Sequence, residues 1–327
     1  MKIAFFNTTP LEKEFFKENL DENIEAYYLP FSLIEDTELD NVEVDAISTS
    51  VHSRLSALAL SKFKNLKYIF TRSVGFNHID LEYTRRAGIL VFNTPNYGND
   101  TIAEFTFGLL LNLVRKINIA SSDLIKEKLS PSYKGMELNG KTIGIVGLGA
   151  IGKKVERIAK CFSMDTICYD ILPHNGYSMV SFEELLENSD IITLHTPLTS
   201  DNYHLIGESE FALMKDGVII INTARGELIN TEALLDNLNS GHVGGACLDV
   251  VECEKLISDI EDDICIDCID DICLRKYMVN RKLLTKENVI ITPHIAYSTK
   301  EAVSRILKIT LENINSVGEK NMKNLVK

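Results

Sequence analysis

The 327-residue sequence predicts an α/β protein made of two domains, each a doubly wound parallel sheet. Three observations predict it. Short apolar runs rich in β-branched residues recur along the chain, the gaps between them carry helix signals, and the length exceeds the roughly 250 residues at which single cores stop growing.

Taken in order, the strands are expected at KIAFFN, VDAISTS, LKYIF and ILVFN, then at KTIGIVG, DTICYD, DIITLH, GVIIINTA, GGACLDV and NVIITPH. Between them, capping boxes are read at Ser181 with Glu184 and at Ser298 with Glu301. The stretch from Thr101 to Lys128 is the longest helical candidate, apolar nearly all round in its first half, so it needs cover on several sides. That suits a bridge between domains or a subunit contact. One amphipathic helix, roughly 299 to 317, follows the last strand.

Composition narrows the function. A net charge of −13, with 34 basic residues dispersed along the chain, argues against nucleic acid as a partner. No apolar run reaches the roughly 18 residues that span a bilayer. The opening MKIAFFNTTP reads as a first strand and not as a signal peptide, so a cytoplasmic location is expected. Seven cysteines then imply a reducing compartment in which disulfides are not the expected use.

The segment KTIGIVGLGAIGKKVERIAKCF holds Gly147, Gly149 and Gly152 in G-x-G-x-x-G spacing, directly after a strand and before a helix, with Ala150 and Ile151 inside the motif. Such glycines let the backbone approach a pyrophosphate, and the N–H groups of the helix start stabilise its charge. The next strand ends in Asp170, 18 residues beyond Gly152, where a carboxylate can accept both hydrogen bonds of an adenosine ribose. It would also repel a 2′-phosphate, so NAD is expected over NADP. Since this fingerprint begins only at residue 143, about 100 residues of α/β structure before it must form a different domain.

INTARGELIN, LDVVECE and ITPHIAYST each begin at a strand end, the edge where open parallel sheets bind ligands. They offer Arg225, whose fork can hold a carboxylate, Glu254, which can hold a protonated imidazole, and His294, which can shuttle a proton near neutral pH. Singly, a surface ion pair or a satisfied loop histidine explains them as well.

TRSVGFNHID, NYGNDTIAEFTFGLLL, IGIVGLGAIG, LHTPLTSDNYHLIG, LMKDGVIIINTARGELIN, GACLDV and ITPHIAYST occur in sequence along the chain. In this series the chain resembles the D-isomer-specific 2-hydroxyacid dehydrogenases, of the D-lactate dehydrogenase-like kind, over nearly its whole length. The resemblance implies that Arg225, Glu254 and His294 are catalytic and that the Val74 and Gly75 backbone binds the substrate carboxylate. It places His195, Thr196, Pro197, Thr223, Ala224, Arg225, Asp249, His294 and Ala296, with Asp170 and the glycine loop, at the cofactor. It also implies a flavodoxin-like substrate domain of residues 1–99 plus 298–327, a Rossmann NAD domain of residues 100–297, a cleft between them, and a homodimer through the helix from Thr101.

The activity so implied is NAD-dependent, reversible reduction of a small 2-oxo acid to the D-2-hydroxy acid, with His294 as general acid and base. Val51, His52 and Ser53, together with Tyr97 and Tyr297, would read the substrate side chain; the tyrosines favour pyruvate or a larger apolar acid, while a lone histidine at a strand end, as His52 is, is more often structural. With one helix after the catalytic histidine, no C-terminal regulatory domain is expected, which weakens a phosphoglycerate dehydrogenase reading. The alternatives are a glyoxylate or hydroxypyruvate reductase, a phosphoglycerate or phosphite dehydrogenase, or a non-catalytic NADH-sensing corepressor-like protein.

One segment does not fit this series. DVVECEKLISDIEDDICIDCIDDIC, residues 249 to 273, scatters Cys253, Cys265, Cys268 and Cys273 among carboxylates. Four thiols could hold zinc or an iron–sulfur cluster, but the spacing is not that of a paired ribbon and the carboxylates disfavour thiolates. Ile257, Ile260, Ile264, Cys268 and Ile272 recur as a helical stripe, so the expected role is packing in an acidic, Cys-rich insertion at about 255–282, with no metal.

Overall fold

The structure is a computed structural model that describes residues 1–37, 43–130, 132–254, 271–319 and 322–326. It divides into two compact units, Met1–Tyr97 with Thr299–Lys327, and Gly98–Ser298.

In the first unit the chain runs β1 (Lys2–Phe5), α1 (Pro10–Asn19), β2 (Glu25–Tyr28), β3 (Ala46–Thr49), α2 (Ala57–Ser61), β4 (Tyr68–Thr71), α3 (Leu81–Ala87) and β5 (Leu90–Phe92). All strand pairs are parallel, in the order β2-β1-β3-β4-β5, which is the flavodoxin-like arrangement. Successive residues of β1 feed opposite layers. Ile3 and Phe5 pack with Phe16 and Phe92, while Ala4 and the following Phe6 pack with Leu33, Leu60 and Ile69. This sheet is therefore covered on both faces.

The second unit comprises α4 (Asn99–Val114), α5 (Ile117–Ile125), β6 (Thr142–Val146), α6 (Ala150–Cys161), β7 (Asp165–Tyr169), α7 (Phe182–Asn188), β8 (Ile191–Leu194), α8 (Glu208–Leu213), β9 (Val218–Asn222), α9 (Thr231–Ser240), β10 (Val243–Leu248), α10 (Asp271–Leu283) and β11 (Val289–Ile291). Its strands, again parallel, lie in the order β7-β6-β8-β9-β10-β11. The order reverses between β6 and β8. Ile219 and Ile221 of β9 pack in the layer of α4 and α6, and Ile220 in the layer of α7, α8 and α9. A final helix, α11 (Lys300–Asn315), returns to the first unit and packs on α1 and β4.

Two expectations change. The stretch from Thr101 to Lys128 is not one helix: it stops at Arg115, and Lys116 turns left-handed (φ 53°) before α5, whose Asn118 N–H is taken by the Asn112 side chain at 2.9 Å. The last helix is capped by Thr299, whose hydroxyl accepts from Ala302 N–H, and not by Ser298. Ser181 does cap α7 through Glu184 N–H, without the reciprocal Glu184 side-chain bond of a full capping box among the described residues. Strand β2 was not read from the sequence, because as an edge strand with partly exposed faces it lacks an apolar run. Of the isoleucine and cysteine stripe, only Ile272 is described, and it is 69% exposed; the rest lies outside the described residues.

The placement of the cap is testable. Thr299→Ala should cost about 1 kcal/mol of stability in urea unfolding, and Ser298→Ala less than about 0.5 kcal/mol; the reverse ranking would return the cap to Ser298.

Candidate active site

The glycine turn sits where the strand order of the second unit reverses, at the C-terminal ends of β6 and β8. Gly147 has φ 92°, and a Cβ there would lie 2.7 Å from the carbonyl of His195. Only glycine admits both this conformation and this approach. Around Gly149 the space is open to 4 Å, and no side chain caps the start of α6 at Ala150 and Ile151. Its N–H groups are therefore left for an anion, as a pyrophosphate requires.

Asp170 closes the end of β7. Its Oδ2 accepts from Leu148 N–H at 2.6 Å, its Oδ1 from Leu172 N–H at 3.0 Å, and His174 Nε2 lies 3.4 Å away. Burial works against the charged form, but these N–H groups and His174 hold the carboxyl below its usual range. The acid is thus ionised and aimed by the same turn that shapes the glycine loop. At the end of β8, the His195 ring bonds Thr193 through Nε2 and leaves a buried Nδ1 without a partner among the described residues. Burial pushes its pKa down to about 3, so the ring is neutral. Thr196 follows, Pro197 offers its carbonyl to Asn202, and Thr223 is buried against Thr106. These features fit NAD.

Beyond β9, the Asn222 side chain accepts from Ala224 N–H and donates to the Arg225 carbonyl at 2.7 Å, fixing the turn that carries Arg225. Beyond β11, His294 takes a left-handed conformation (φ 53°) with its N–H on the Asp249 carbonyl at 2.9 Å. The Asp249 side chain, 1% exposed, accepts from Thr292 Oγ1 at 2.6 Å and from Ile295 and Ala296 N–H, each at 2.9 Å. Burial raises its pKa, while those donors and His294 oppose the rise. His294 Nδ1 lies 2.8 Å from Glu254 Oε1. Desolvation lowers the His294 pKa and Arg225 adds to that, yet the Glu254 bond and charge, with Asp249, raise it overall. Arg225, Glu254, Asp249 and His294 are thus brought to one end of β9, β10 and β11.

In the first unit, Val74 is exposed and the Asn93 side chain holds its carbonyl at 2.8 Å, while Ser73 Oγ donates to the Gly75 carbonyl at 2.6 Å. Among the described residues, no acceptor takes the Val74 or Gly75 N–H. His52 is exposed, Tyr97 is buried with its carbonyl bonded by Arg305, and Tyr297 is half-buried in the second unit.

Two groups went unread in the sequence. Arg72, buried directly before this turn, donates to Ser48 Oγ and to the carbonyls of Phe6 and Asn7 and pairs with Glu12. Glu252, two residues before Glu254, accepts from Thr231 N–H and Oγ1, from His204 Nε2 and from Lys276 Nζ at 3.0 Å. Burial notwithstanding, those donors hold its carboxyl below the usual range. ECE contains both acids, but nothing in the linear pattern says which is buried.

The expectation that the cysteines form no disulfide is overturned. Cys253 and Cys273 are joined, with their Cα atoms 5.6 Å apart, because α10 docks on the Glu252 loop. Two of the four candidate metal ligands are thereby bonded to each other; Cys265 and Cys268 lie outside the described residues.

A parallel sheet with a glycine turn at its reversal, an acid at the tip of the next strand, and an arginine and a histidine at later strand ends defines a dinucleotide-dependent oxidoreductase. Residues 107–296 match the family model described as D-isomer specific 2-hydroxyacid dehydrogenase, NAD binding domain. An aromatic 2-oxoacid reductase of Clostridium sporogenes is 38% identical over 96% of this chain and 95% of its own. A D-lactate dehydrogenase of Escherichia coli is 33% identical over 97% of each. The crystal structure of D-lactate dehydrogenase from Aquifex aeolicus complexed with NAD and lactic acid superposes with a TM-score of 0.86 at 34% identity, covering 96% of this chain and 94% of that one. The chain belongs to the D-isomer-specific 2-hydroxyacid dehydrogenases and is an NAD-dependent oxidoreductase.

Gly147→Ala introduces about 1–2 kcal/mol of backbone strain together with a clash on β8. NADH affinity, followed by fluorescence titration, should fall about tenfold or more while circular dichroism is unchanged; an unaltered Kd would separate this turn from the cofactor.

Proposed function

We propose that the chain reduces a 2-oxo acid with a small or apolar side chain to the D-2-hydroxy acid, with His294 as proton donor. The observation that carries this is the 2.8 Å bond between His294 Nδ1 and Glu254, beside the raised His294 pKa. Nδ1–H is committed to the carboxylate, so Nε2 carries the transferable proton. Glu254 supports the imidazolium by charge and fixes the ring. Arg225 is assigned to the substrate carboxylate by its fork, and the Val74 and Gly75 N–H groups, unclaimed among the described residues, are assigned to substrate binding. Bound NAD supplies the hydride in reduction and accepts it in oxidation. When the ketone becomes an alkoxide, His294 protonates it; in the reverse direction the neutral ring takes the hydroxyl proton.

His52, Tyr97 and Tyr297 are assigned to the substrate side chain, and the aromatic 2-oxoacid reductase among the relatives supports including aromatic acids. A homodimer over α4 and α5 belongs to the same reading: Ile117, Leu124, Ile125 and Leu129 are 54–81% exposed, an apolar strip that a second copy would cover. Among the described residues no helix is long and apolar enough to cross a membrane, and the proposed place of action is the cytoplasm.

NADH oxidation should be assayed with pyruvate, branched and aromatic 2-oxo acids, glyoxylate and hydroxypyruvate. An apolar 2-oxo acid should give the highest kcat/KM; preference for glyoxylate or hydroxypyruvate would overturn the substrate assignment. His294→Gln should lower kcat by about two to four powers of ten with NADH binding retained, and full turnover in that variant would remove His294 from the chemistry. Reduction requires protonated His294, so its rate should be full below the raised pKa and decline as pH rises through it; oxidation should rise over the same window. Glu254→Gln removes the charge that raises this pKa, so both midpoints should move to lower pH. An unmoved midpoint would show that Glu254 does not face the titrating group.

A further inference from the structure

We propose that Cys253 and Cys273 form a reversible redox site: their disulfide ties the loop carrying Glu254 to α10, and reduction releases it, so the state of the pair sets how Glu254 supports His294. The proposal rests on the reading above, in which Glu254 positions His294.

Three observations carry it. The pair is long-range, 20 residues apart in sequence, with Cα atoms at 5.6 Å, within the span a disulfide bridges. It is also pre-docked by other contacts. Cys273, Lys276 and Asn280 follow one another at three and four residues on one face of α10. Lys276 Nζ reaches the Glu252 carboxylate at 3.0 Å, and Asn280 Nδ2 donates to the Glu252 carbonyl at 2.8 Å. The reduced thiols would therefore stay near each other, and Glu252, locked by Thr231 and His204, is a fixed point beside a hinge. That hinge is Cys253 itself, left-handed at φ 52° between the buried Glu252 and the half-buried Glu254. Finally, both cysteines are half-buried and open to reagents; of the free cysteines described, Cys161 is exposed, whereas Cys168 and Cys247 are buried and burial pushes each thiol up to about 12.

The oxidant required is a low-molecular-weight disulfide, RSSR. One cysteine thiolate attacks it and expels RS⁻, forming a mixed disulfide; the second thiolate then attacks the protein sulfur of that bond and expels the second RS⁻. Two protein thiols lose two electrons and two protons, and RSSR becomes 2 RSH. A dithiol reductant reverses the exchange.

The test poises the wild-type protein in glutathione buffers and in dithiothreitol, then follows three readouts. Differential alkylation with peptide mapping reads the Cys253–Cys273 linkage, and NMR titration of the histidine ring protons reads His294 in the NADH-free protein. The third readout is the pH profile of 2-oxo acid reduction. Among the described residues, Glu254, Asp249 and Arg225 face His294, and of these three Glu254 adjoins the pair. The linked peptide should form in oxidised glutathione and vanish in dithiothreitol. On reduction His294 should titrate at lower pH, and kcat on the alkaline side of its midpoint should fall by about threefold. Cys273→Ser should behave as the reduced wild type in every buffer. Absence of the linked peptide overturns the site. A linkage that forms and breaks while His294 titration and kcat stay constant overturns the coupling. Full turnover in His294→Gln would instead sink the proton-donor reading, and the peptide map and ring titration would still decide the linkage.

Discussion

The buried carboxylate of Asp249 is the constraint on which the second unit's chemistry depends. It stands at the end of β10, accepts three hydrogen bonds from the segment after β11, and its own carbonyl takes the His294 N–H. Hydrogen bonds to a charged group contribute about 1.5–3 kcal/mol each, enough together to hold one non-glycine residue in the left-handed region. His294 is that residue. Its N–H is shared between the Asp249 carbonyl of the neighbouring strand end and the Thr292 carbonyl of its own segment, each at 2.9 Å.

A second buried acid does the corresponding work for Glu254. Glu252 joins β10 to α9 through Thr231 and to α10 through Lys276 and Asn280. Breaking a buried pair of this kind costs about 3–5 kcal/mol, because the remaining charge has no solvent to turn to. The chain leaving Glu252 therefore has a rigid start. Glu254 lies two residues past that anchor, near enough to be aimed at His294. The balance at His294 is then one of signs: desolvation and Arg225 oppose its charge, Glu254 and Asp249 favour it, and the carboxylates prevail.

The strands that bear this chemistry were legible because they are buried on both faces. Runs such as GVIIINTA lack alternation, since each side of the sheet meets a helix layer, and the β-branched residues mark them. Edge strand β2 escaped for the opposite reason. The break at Lys116 escaped as well: no proline or glycine signals it, and the turn is held by a side-chain bond from Asn112.

By itself the sequence determined the class of fold, the glycine turn with its terminal acid, and the three residues at strand ends, because each rests on short-range spacing or on a side chain's intrinsic chemistry. Only the tertiary structure decided that Glu252, beside Glu254, is the buried acid, where the last helix is capped, and that Cys253 meets Cys273. Those outcomes depend on α10 and β11 docking beside β10. Burial and pairing are properties of residues brought together from far along the chain, and no local pattern records them.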